Sequence, residues 1–446
     1  MSAGTLVPLN RTEHMFWAGE GILGSVNQPY LMRFDGPVEA AEVRQALREL
    51  FSVYTRLRSV IVATGWTYKL RILPDDDHID TLLDDCFRVA RGVDAGSREA
   101  LMAYHNEFQN DAISMERGLP LRARFIPHPS TPALIMSLHH IIGDGRSGLQ
   151  MISAVVARIN GTPIKPVPLH SPSMVPAVVP RKWTQWPASI AGWWRNSRRD
   201  AQAGKGLNLV TLARRRSPNF TTAAIQYHEL PVAPKVLRAT AKGMGTTVNS
   251  LLTAVIANTF LGRAKDDPQA VSAIRISYDL RKLFPEGQSP EIGNFVSSFS
   301  VKARHQPTLT DQIQSMEAQV KDILARYERR EYALPLLLYE ALPLIGRRLY
   351  TMMIARAKAQ GKLQDVSCHF SNLGPADFLN PAEGRVRLTE IWLAALPVAT
   401  IVGLASMGDK FFLTVIYQQD ETDAADVADF LGALDRELLT LTQTGG

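Results

Sequence analysis

The sequence predicts a protein of the α/β class (α+β, with mixed sheets) that consists of two units. Along the whole 446-residue chain, short apolar runs typical of strands alternate with segments whose apolar residues recur at helical spacing. The chain is also long for one hydrophobic core, which favours two domains. Prolines recur through residues 161–187 and cannot sustain regular structure there. We therefore expect a first unit over residues 1–165, a crossover over 166–220 and a second unit over 221–446.

The first unit contains a regular series of predicted elements. Residues 30–34 are typical of a strand, and Pro37 opens a helix whose apolar residues recur at helical spacing. Further elements are predicted as strands at 59–61, 68–72 and 121–126 and as a helix at 97–110. Two acidic clusters, at 75–77 and 84–85, are expected to form a solvated loop region.

The second unit continues the alternation, although no sequence repeat of fixed period is present. Its predicted elements are strands at 227–230, 271–278 and 411–417 and helices from Thr246 or Thr247, from Thr310 and over 427–438. The charge-free stretch 391–407 falls short of the ~20 residues of a spanning helix and is interpreted as buried core. Residues 334–362 combine apolar clusters with arginines and lysines. Helices packed on a core with basic ends are favoured there over a membrane-surface role.

The segment 133–150 contains the strongest chemical signal of the chain. Apolar residues 133–138 indicate a buried strand, and His139 and His140 lie at its end. A Gly-Asp-Gly tripeptide at 143–145 then breaks the strand. Ser147 and the glutamine three residues later have the spacing of a capping box, so a helix is expected to begin there.

Three chemical interpretations of the two histidines stand side by side. Adjacent strand residues point to opposite faces, so His139 and His140 are poorly placed to chelate one metal ion, and no second motif completes a metal set. Two satisfied core histidines are the structural alternative. The third interpretation is general base catalysis, in which one imidazole takes a proton from a nucleophile while the other supports the scaffold. Asp144 is then expected either to orient the imidazole or to pair with a cation that holds the turn shut.

The segment His139-His140-Ile-Ile-Gly-Asp144-Gly145 resembles the HHxxxDG motif of the CoA-dependent acyltransferase superfamily. This group includes chloramphenicol acetyltransferase-like enzymes, plant BAHD acyltransferases, alcohol acetyltransferases and the condensation domains of nonribosomal peptide synthetases. The resemblance implies two chloramphenicol acetyltransferase-like subdomains in a V-shaped arrangement, with an active-site tunnel between them. It makes the motif residues the candidate catalytic set, with His140 as the general base and Asp144 in a mostly structural role. Gly145 is expected to let the backbone come close to substrate.

Segments of the second unit extend this resemblance. Asp279-Leu-Arg281 and the following Ile-Gly-Asn-Phe at 292–295 resemble a region of alcohol acetyltransferases and related bacterial acyltransferases. There an arginine pairs with the motif aspartate, which implies a pair between Arg281 and Asp144. The segment 371–374 resembles one that borders the tunnel in the same families, so Ser371 and Asn372 are candidate donors to an oxyanion. Ser297 and Ser298 compete for that role, and the sequence leaves the choice open. No Asp-Phe-Gly-Trp-Gly segment occurs near the C-terminus, which argues against the plant subfamily.

The resemblance implies an acyltransferase that moves an acyl group from a pantetheine thioester to a hydroxyl or an amine. No bound cofactor is expected, because the donor is acyl-CoA or an acyl-phosphopantetheine carrier protein supplied in trans. One alternative is a stand-alone condensation domain that joins carrier-bound intermediates. Another, from a different class, is a catalytically inactive interaction module of the same fold, which would be expected to have lost the second histidine.

Composition and charge agree with an ordinary globular protein. Hydrophobic residues make up 46% of the chain and charged residues 21%, with a net charge of +6. The basic balance favours anionic partners such as CoA phosphates or an acidic carrier protein, and no basic run interleaved with aromatics indicates nucleic acid. Cys86 and Cys368 make a disulfide framework unexpected and fit a reducing compartment. Together with the lack of a signal-peptide pattern, this predicts a cytoplasmic monomer without a transmembrane segment.

Overall fold

The structure, a computed structural model, describes residues 5–170, 172–217, 222–395 and 397–444. The predicted boundary between residues 220 and 221 lies outside the described residues. The strands are Leu6–Pro8 (β1), Asn27–Phe34 (β2), Ser59–Thr64 (β3), Thr67–Ile72 (β4), Phe87–Val89 (β5), Leu121–Ile126 (β6), Ala133–His139 (β7), Asn208–Leu209 (β8), Ala223–Glu229 (β9), Ala270–Asp279 (β10), Val296–Ala303 (β11), Cys368–Pro375 (β12), Leu388–Leu393 (β13), Ile401–Met407 (β14) and Lys410–Gln418 (β15).

The α-helices pack on the sheets and, in several places, on each other. They are Arg11–Gly19 (α1), Ala40–Val53 (α2), Asp77–Cys86 (α3), Arg98–Gln109 (α4), Gly145–Ile159 (α5), Val175–Val178 (α6), Trp186–Ala203 (α7), Pro234–Gly243 (α8), Val248–Leu261 (α9), Leu309–Glu328 (α10), Ala333–Ala341 (α11), Arg347–Ala359 (α12) and Ala424–Thr444 (α13). None of these described helices is long and apolar enough to cross a membrane alone. Only α8 and the segment Val248–Ala264, which bend by 93° at their junction, meet the criterion when taken together.

The described strands form two main sheets and a smaller three-stranded sheet in the order β1-β4-β3. A five-stranded sheet has the order β13-β2-β7-β6-β5, and a larger sheet has the order β11-β10-β12-β14-β15-β9, with β8 paired to β10. β10, β12 and β14 are parallel neighbours, whereas β14, β15 and β9 are antiparallel. The predicted α/β class with mixed sheets is therefore confirmed.

One strand from the C-terminal part of the chain completes the sheet of the N-terminal part. β13 pairs antiparallel with β2, so that Leu393 lies opposite Tyr30. The neighbouring Trp392 is buried, and its ring stacks on Tyr227 of β9 with centroids 4.2 Å apart. A backbone ladder and an aromatic stack thus hold the two sheets together, and they use residues that are far apart in the sequence.

One face of the larger sheet lies over the first half of the molecule. Ile401 and Ala405 of β14 and Phe412 and Ile416 of β15 belong to the same buried cluster as the residues of the first sheet. The opposite face packs on α9 and α13 in a second buried cluster. Because strand side chains alternate between faces, this sheet is apolar on both sides at β14 and β15.

Two local expectations from the sequence are wrong. The helix after the His-His turn begins at Gly145 with Asp144 as its N-cap, whose side chain accepts from Ser147 N, so Ser147 is a residue of the first turn and not the cap. The acidic stretch is a helix, α3, and not a loop. Asp76 caps it, and a buried face with Leu83 packs on the core. Asp77 and Asp80 in the first turn suit the helix dipole, whereas Asp84 in the last turn pairs with Arg44.

Gly403 of β14 marks a close approach between the two sheets. A Cβ at this position would lie 2.2 Å from Leu393 Cδ1, whereas one at Gly432 in α13 would meet nothing closer than 3.6 Å. We expect Gly403→Ala to lower the free energy of unfolding by about 1–3 kcal/mol through overpacking. The matched variant Gly432→Ala should raise it by about 0.4–1 kcal/mol, because it only restricts the unfolded chain. Chemical denaturation measures both. A neutral Gly403→Ala would mean that the sheets are not in this contact.

Candidate active site

The buried strand β7 delivers the two histidines to opposite surroundings. His139 is fully buried, and its Nε2 lies 3.1 Å from Glu20 Oε2 while its Nδ1 accepts from the backbone N of Ile141 at 3.3 Å. Both ring nitrogens therefore have partners within the scaffold. This arrangement fixes the direction of the turn that follows, and it leaves no free ring nitrogen on His139 for a substrate.

His140 points the other way, toward the second half of the molecule. Asn294, just before β11, donates through Nδ2 to the His140 carbonyl oxygen at 2.8 Å, and the same nitrogen lies 3.0 Å from His140 Nδ1. The ring of Phe16 from α1 stacks on the imidazole with centroids 4.3 Å apart. Burial lowers the pKa of His140 to about 4, so the imidazole is neutral at pH 7 and able to accept a proton.

Asp144 is the point where the turn, the helix α5 and the second half meet. Its Oδ1 accepts from the backbone N and the hydroxyl of Ser147, at 3.0 and 3.1 Å. Its Oδ2 accepts from Arg281 Nη1 at 2.7 Å and from the backbone N of Phe295 at 2.9 Å. Four hydrogen bonds saturate this carboxylate, so we assign it a structural role rather than proton transfer.

Arg281 is buried and uses most of its donors across the same junction. Besides Asp144, it donates to the carbonyl oxygens of Pro290 and Gly293, at 2.9 and 2.8 Å, and to Ser147 Oγ at 2.9 Å. Burial lowers the pKa of Arg281, but the charge and hydrogen bond of Asp144 outweigh this, so the pKa lies above its ordinary value. The structure thus places Arg281 against Asp144, as the resemblance implied.

Gly145 lies against the second half rather than in open space. A Cβ at residue 145 would lie 2.7 Å from Leu373 Cδ2 of β12. The expectation was that this glycine admits substrate, whereas the structure shows that it admits Leu373. His140 therefore lies between two contacts of the halves: Asn294 at the start of β11 and Leu373 near the end of β12.

The four candidate oxyanion donors separate into two pairs. Ser297 shares the face of Tyr278 and Phe299, and its hydroxyl lies 3.0 Å from the hydroxyl of Tyr327. Asn372 lies opposite Leu404 of the second core, and its Oδ1 accepts from the backbone N of Gly374 at 2.9 Å. Ser298 and Ser371 belong to the other face of the sheet, as the alternation of strand side chains requires.

That face is polar at β10, β11 and β12. Its side chains are half-buried or exposed and belong to Arg275, Ser277, Ser298, His369 and Ser371. The same face is apolar at β14 and β15, where it packs on the first half. Because polar groups on a sheet face need water or a ligand, we expect the first half to pack less closely on this part of the sheet.

His369 is a site residue that the sequence did not single out. Its Nε2 lies 2.9 Å from Ser277 Oγ on the neighbouring strand. Burial, together with the charges of Arg275 and His140, lowers the pKa of His369 to about 4. The alternation of polar residues at 275, 277 and 279 within a predicted strand indicates the polar sheet face on which His369 lies.

A buried ion pair lies next to the backbone of Asn294. Glu13 of α1 is fully buried and pairs with Arg56, which also donates to the carbonyl oxygen of Ile141 at 3.0 Å. The backbone N of Asn294 lies 3.4 Å from Glu13 Oε1, and Asn10 donates to the Asn294 carbonyl oxygen at 2.8 Å. Burial raises the pKa of Glu13, and Arg56 opposes this. The network holds the turn and the partner of His140 in one arrangement.

Similarity to known proteins is confined to structure. No family model matches this sequence, and no curated protein matches it. Among solved structures, the first condensation domain of the CDA synthetase superposes with a TM-score of 0.71 at 12% identity, covering 99% of this chain and 97% of that one. A trichothecene 15-O-acetyltransferase from Fusarium sporotrichioides gives 0.67 at 13% identity, covering 97% and 94%.

A variant of the starter condensation domain of rhizomide synthetase RzmA, in complex with C8-CoA and Leu-SNAC, also gives a TM-score of 0.67 at 13% identity, with 98% of this chain and 95% of that one covered. The chain therefore has the fold of the CoA-dependent acyltransferases and condensation domains. Its two subdomains are the chloramphenicol acetyltransferase-like units of that fold. At such low identity the likeness establishes the fold and leaves the reaction to be argued from the site.

The ion pair between Asp144 and Arg281 provides a test of the junction. Removing one partner leaves a buried charge unmatched, which typically costs about 3–5 kcal/mol, so Asp144→Ala and Arg281→Ala should each lower the melting temperature and the turnover. The double variant should be less destabilised than the sum of the singles, because both remove one interaction. A thermal-melt double-mutant cycle measures the coupling.

The exposed pair of Arg44 and Asp84 is the matched control. Arg44→Ala should cost less than about 1 kcal/mol, as surface pairs do. Strict additivity of the two buried substitutions would show that Asp144 and Arg281 do not interact in solution.

Proposed function

We propose that the protein transfers an acyl group from a pantetheine thioester to a hydroxyl or amine acceptor, with His140 as the general base. The observation that supports this most is the placement of the two imidazoles: His140 contacts Asn294 of the second half, whereas both ring nitrogens of His139 have partners within the scaffold. A histidine held at the junction of two acyltransferase-like subdomains can serve as the base that deprotonates a bound acceptor.

The reaction needs no covalent enzyme intermediate. The acceptor oxygen or nitrogen attacks the thioester carbonyl carbon, and the His140 imidazole takes the proton that the acceptor loses. The tetrahedral intermediate then collapses, the carbon–sulfur bond breaks, and the leaving thiolate takes that proton from the imidazolium. Burial raises the pKa of Cys86 to about 11 and also raises the pKa of Cys368. Neither thiol is therefore suited to act as a nucleophile.

We assign stabilisation of the oxyanion to hydroxyl groups on the polar face of the larger sheet. Ser371 and Ser298 lie on this face, whereas Ser297 and Asn372 are engaged elsewhere. Ser371 is the better candidate, because Leu373, two residues further along β12, contacts the turn at Gly145. A preorganised donor of this kind contributes about 3 kcal/mol to transition-state stabilisation.

The donor is acyl-CoA or an acyl-carrier protein, and we place the reaction in the cytoplasm, with the protein acting as a monomer. A stand-alone condensation domain that joins carrier-bound intermediates would use the same histidine and is the second candidate. An inactive interaction module of the same fold is disfavoured, because His140 and its partners Asn294 and Phe16 are all in place.

Mass spectrometry of small molecules and intact protein, with separate panels of acyl-CoA and acyl-carrier donors, distinguishes the two enzymatic candidates. We expect His140→Ala to lower turnover of an active donor by at least the 10²–10⁴-fold typical of general base catalysis, with an unchanged melting curve. His305→Ala, a change at an exposed histidine, is the matched control and should retain activity. Full activity of His140→Ala would rule out the proposed role.

The pH profile tests the surroundings of His140. With a pKa of about 4, the imidazole stays in its basic form down to that pH, so kcat/KM should show no acid limb near the ordinary value of 6.5. Asn294→Asp places a carboxylate beside Nδ1. This favours the imidazolium and raises the pKa of His140, so the acid limb should move to higher pH. Asn294→Ala adds no charge and should lower the rate without moving the limb upward. An unmoved limb in Asn294→Asp would contradict the assignment of Asn294 as the neighbour of the base.

A further inference from the structure

A surface on the outer side of two helices, one of which packs on α1, combines large exposed apolar side chains with positive charge. It consists of the outer sides of α11, α12 and the linker between them, with Trp66 from the β3–β4 hairpin. Trp66 is 75% exposed, Leu344 of the linker 77% and Met352 of α12 64%. The remaining exposed apolar members are Leu338, Tyr339, Leu349 and Met353. We refer to these seven residues, together with Arg348 and Arg356 of α12, as the cationic apolar face.

Packing of the fold does not account for this surface, because the inner side of the same helices is already used. Tyr350 and Ile354 of α12 are buried against Ala18 and Leu23. Leu349, Met352 and Met353 lie on the opposite side of α12 at helical spacing and point outward. The outward side of α12 therefore exposes three large apolar side chains that the core does not use. Clustered exposed apolar side chains often mark interaction sites.

The hairpin tip and the linker are held together, so the surface is continuous. The backbone N of Arg347 donates to the Trp66 carbonyl oxygen at 2.9 Å. A Cβ at Gly346 would lie 3.1 Å from the Trp66 ring. Trp66 therefore lies beside the start of α12, next to the outward-facing side chains.

The charge from the linker through α12 has one sign. Residues 341–364 contain five lysines and arginines and no carboxylate, and Glu340 at the end of α11 pairs with Arg11. Arg348, Arg356 and Lys362 are exposed, and none of the three forms an ion pair within the described part of the chain. Lys358 differs, because its Nζ donates to the Ile22 carbonyl oxygen at 2.7 Å. Two exposed arginines thus flank the stripe of Leu349, Met352 and Met353.

We propose that the cationic apolar face binds the surface of an anionic lipid bilayer. The protruding leucine, methionine and tryptophan side chains would enter the boundary between headgroups and acyl chains, and the flanking arginines would contact lipid phosphates. α12, at 1.5 Å per residue about 20 Å long, would lie in the plane of the membrane. A bilayer accepts protruding side chains without a complementary shape. A second copy of this chain would present the same positive charge and is disfavoured.

Flotation with vesicles tests the proposal independently of any acyl transfer. The probe is phosphatidylcholine vesicles with about 30% phosphatidylserine, compared with phosphatidylcholine alone. We expect the intact protein to float with the anionic vesicles only. Arg348→Glu/Arg356→Glu should lower the partition coefficient at least tenfold, as the loss of two cations near an anionic surface implies. Leu349→Gln/Met352→Gln/Met353→Gln should lower it similarly, with unchanged melting curves.

The helix α8 provides a matched control for charge. Its Arg238 and Lys242 are exposed, but only one large apolar side chain, Val236, is exposed beside them. Arg238→Glu/Lys242→Glu makes the same change in net charge and should alter the partition coefficient less than twofold. Equal loss in this control would show general attraction by a basic protein and would overturn the proposal. Capture of an acidic carrier protein by the face, without binding to vesicles, would also overturn it. Turnover of a water-soluble acceptor without vesicles should not change in any of these variants, so this test can fail while the proposed reaction stands.

Discussion

The hydrogen bonds of Asp144 are the constraint on which the rest of the site depends. One of its oxygens caps α5 through Ser147, and the other binds Arg281 and the backbone of Phe295. The first pair of bonds is local, whereas the second comes from the other half of the chain. The hydrogen bonds that hold the turn containing His140 are therefore all formed only when the two halves are in contact. Because the carboxylate has no further acceptor capacity, it holds this geometry and leaves proton transfer to the imidazole.

Buried charge surrounds the imidazole, but it is compensated within pairs. Glu13 with Arg56 lies on one side of the turn and Asp144 with Arg281 on the other. Arg281 also pairs with Asp279, at 3.2 Å, so its charge is shared between two carboxylates. Burial lowers the pKa of His140 by more than the charge of Asp144 raises it. Burying four ionised groups carries a desolvation cost. The same burial keeps the His140 imidazole neutral at pH 7, the form that can accept a proton.

The sequence predicted those features that depend on neighbouring residues. The strand before His139, the helix after the turn and most of the alternating elements follow from apolar spacing, and the motif pointed to Asp144 and Arg281. The cap was assigned to Ser147 because the pattern Ser-x-x-Gln is local and frequent, whereas Asp144 competes for the same role and also has a distant partner. Asn294, His369 and the crossing of β13 could not be predicted, because they depend on which strands become neighbours. No local pattern specifies such pairings.

The larger sheet buries one end of a face against the first half and leaves polar residues at the other end of the same face. Its face toward the first half is apolar at β14 and β15, where Ile401 and Phe412 are buried, and it is polar at β12, where His369 and Ser371 lie. This face changes from polar to apolar along the sheet. Burial of its polar end would leave polar groups without hydrogen-bond partners, so only its apolar end is buried. We therefore expect the halves to pack less closely where the polar residues begin. The contact of Leu373 with Gly145 and the hydrogen bonds from Asn294 to His140 join the halves beside that region. His140 lies between these contacts, so the interactions that stabilise the junction also determine the direction in which the base points.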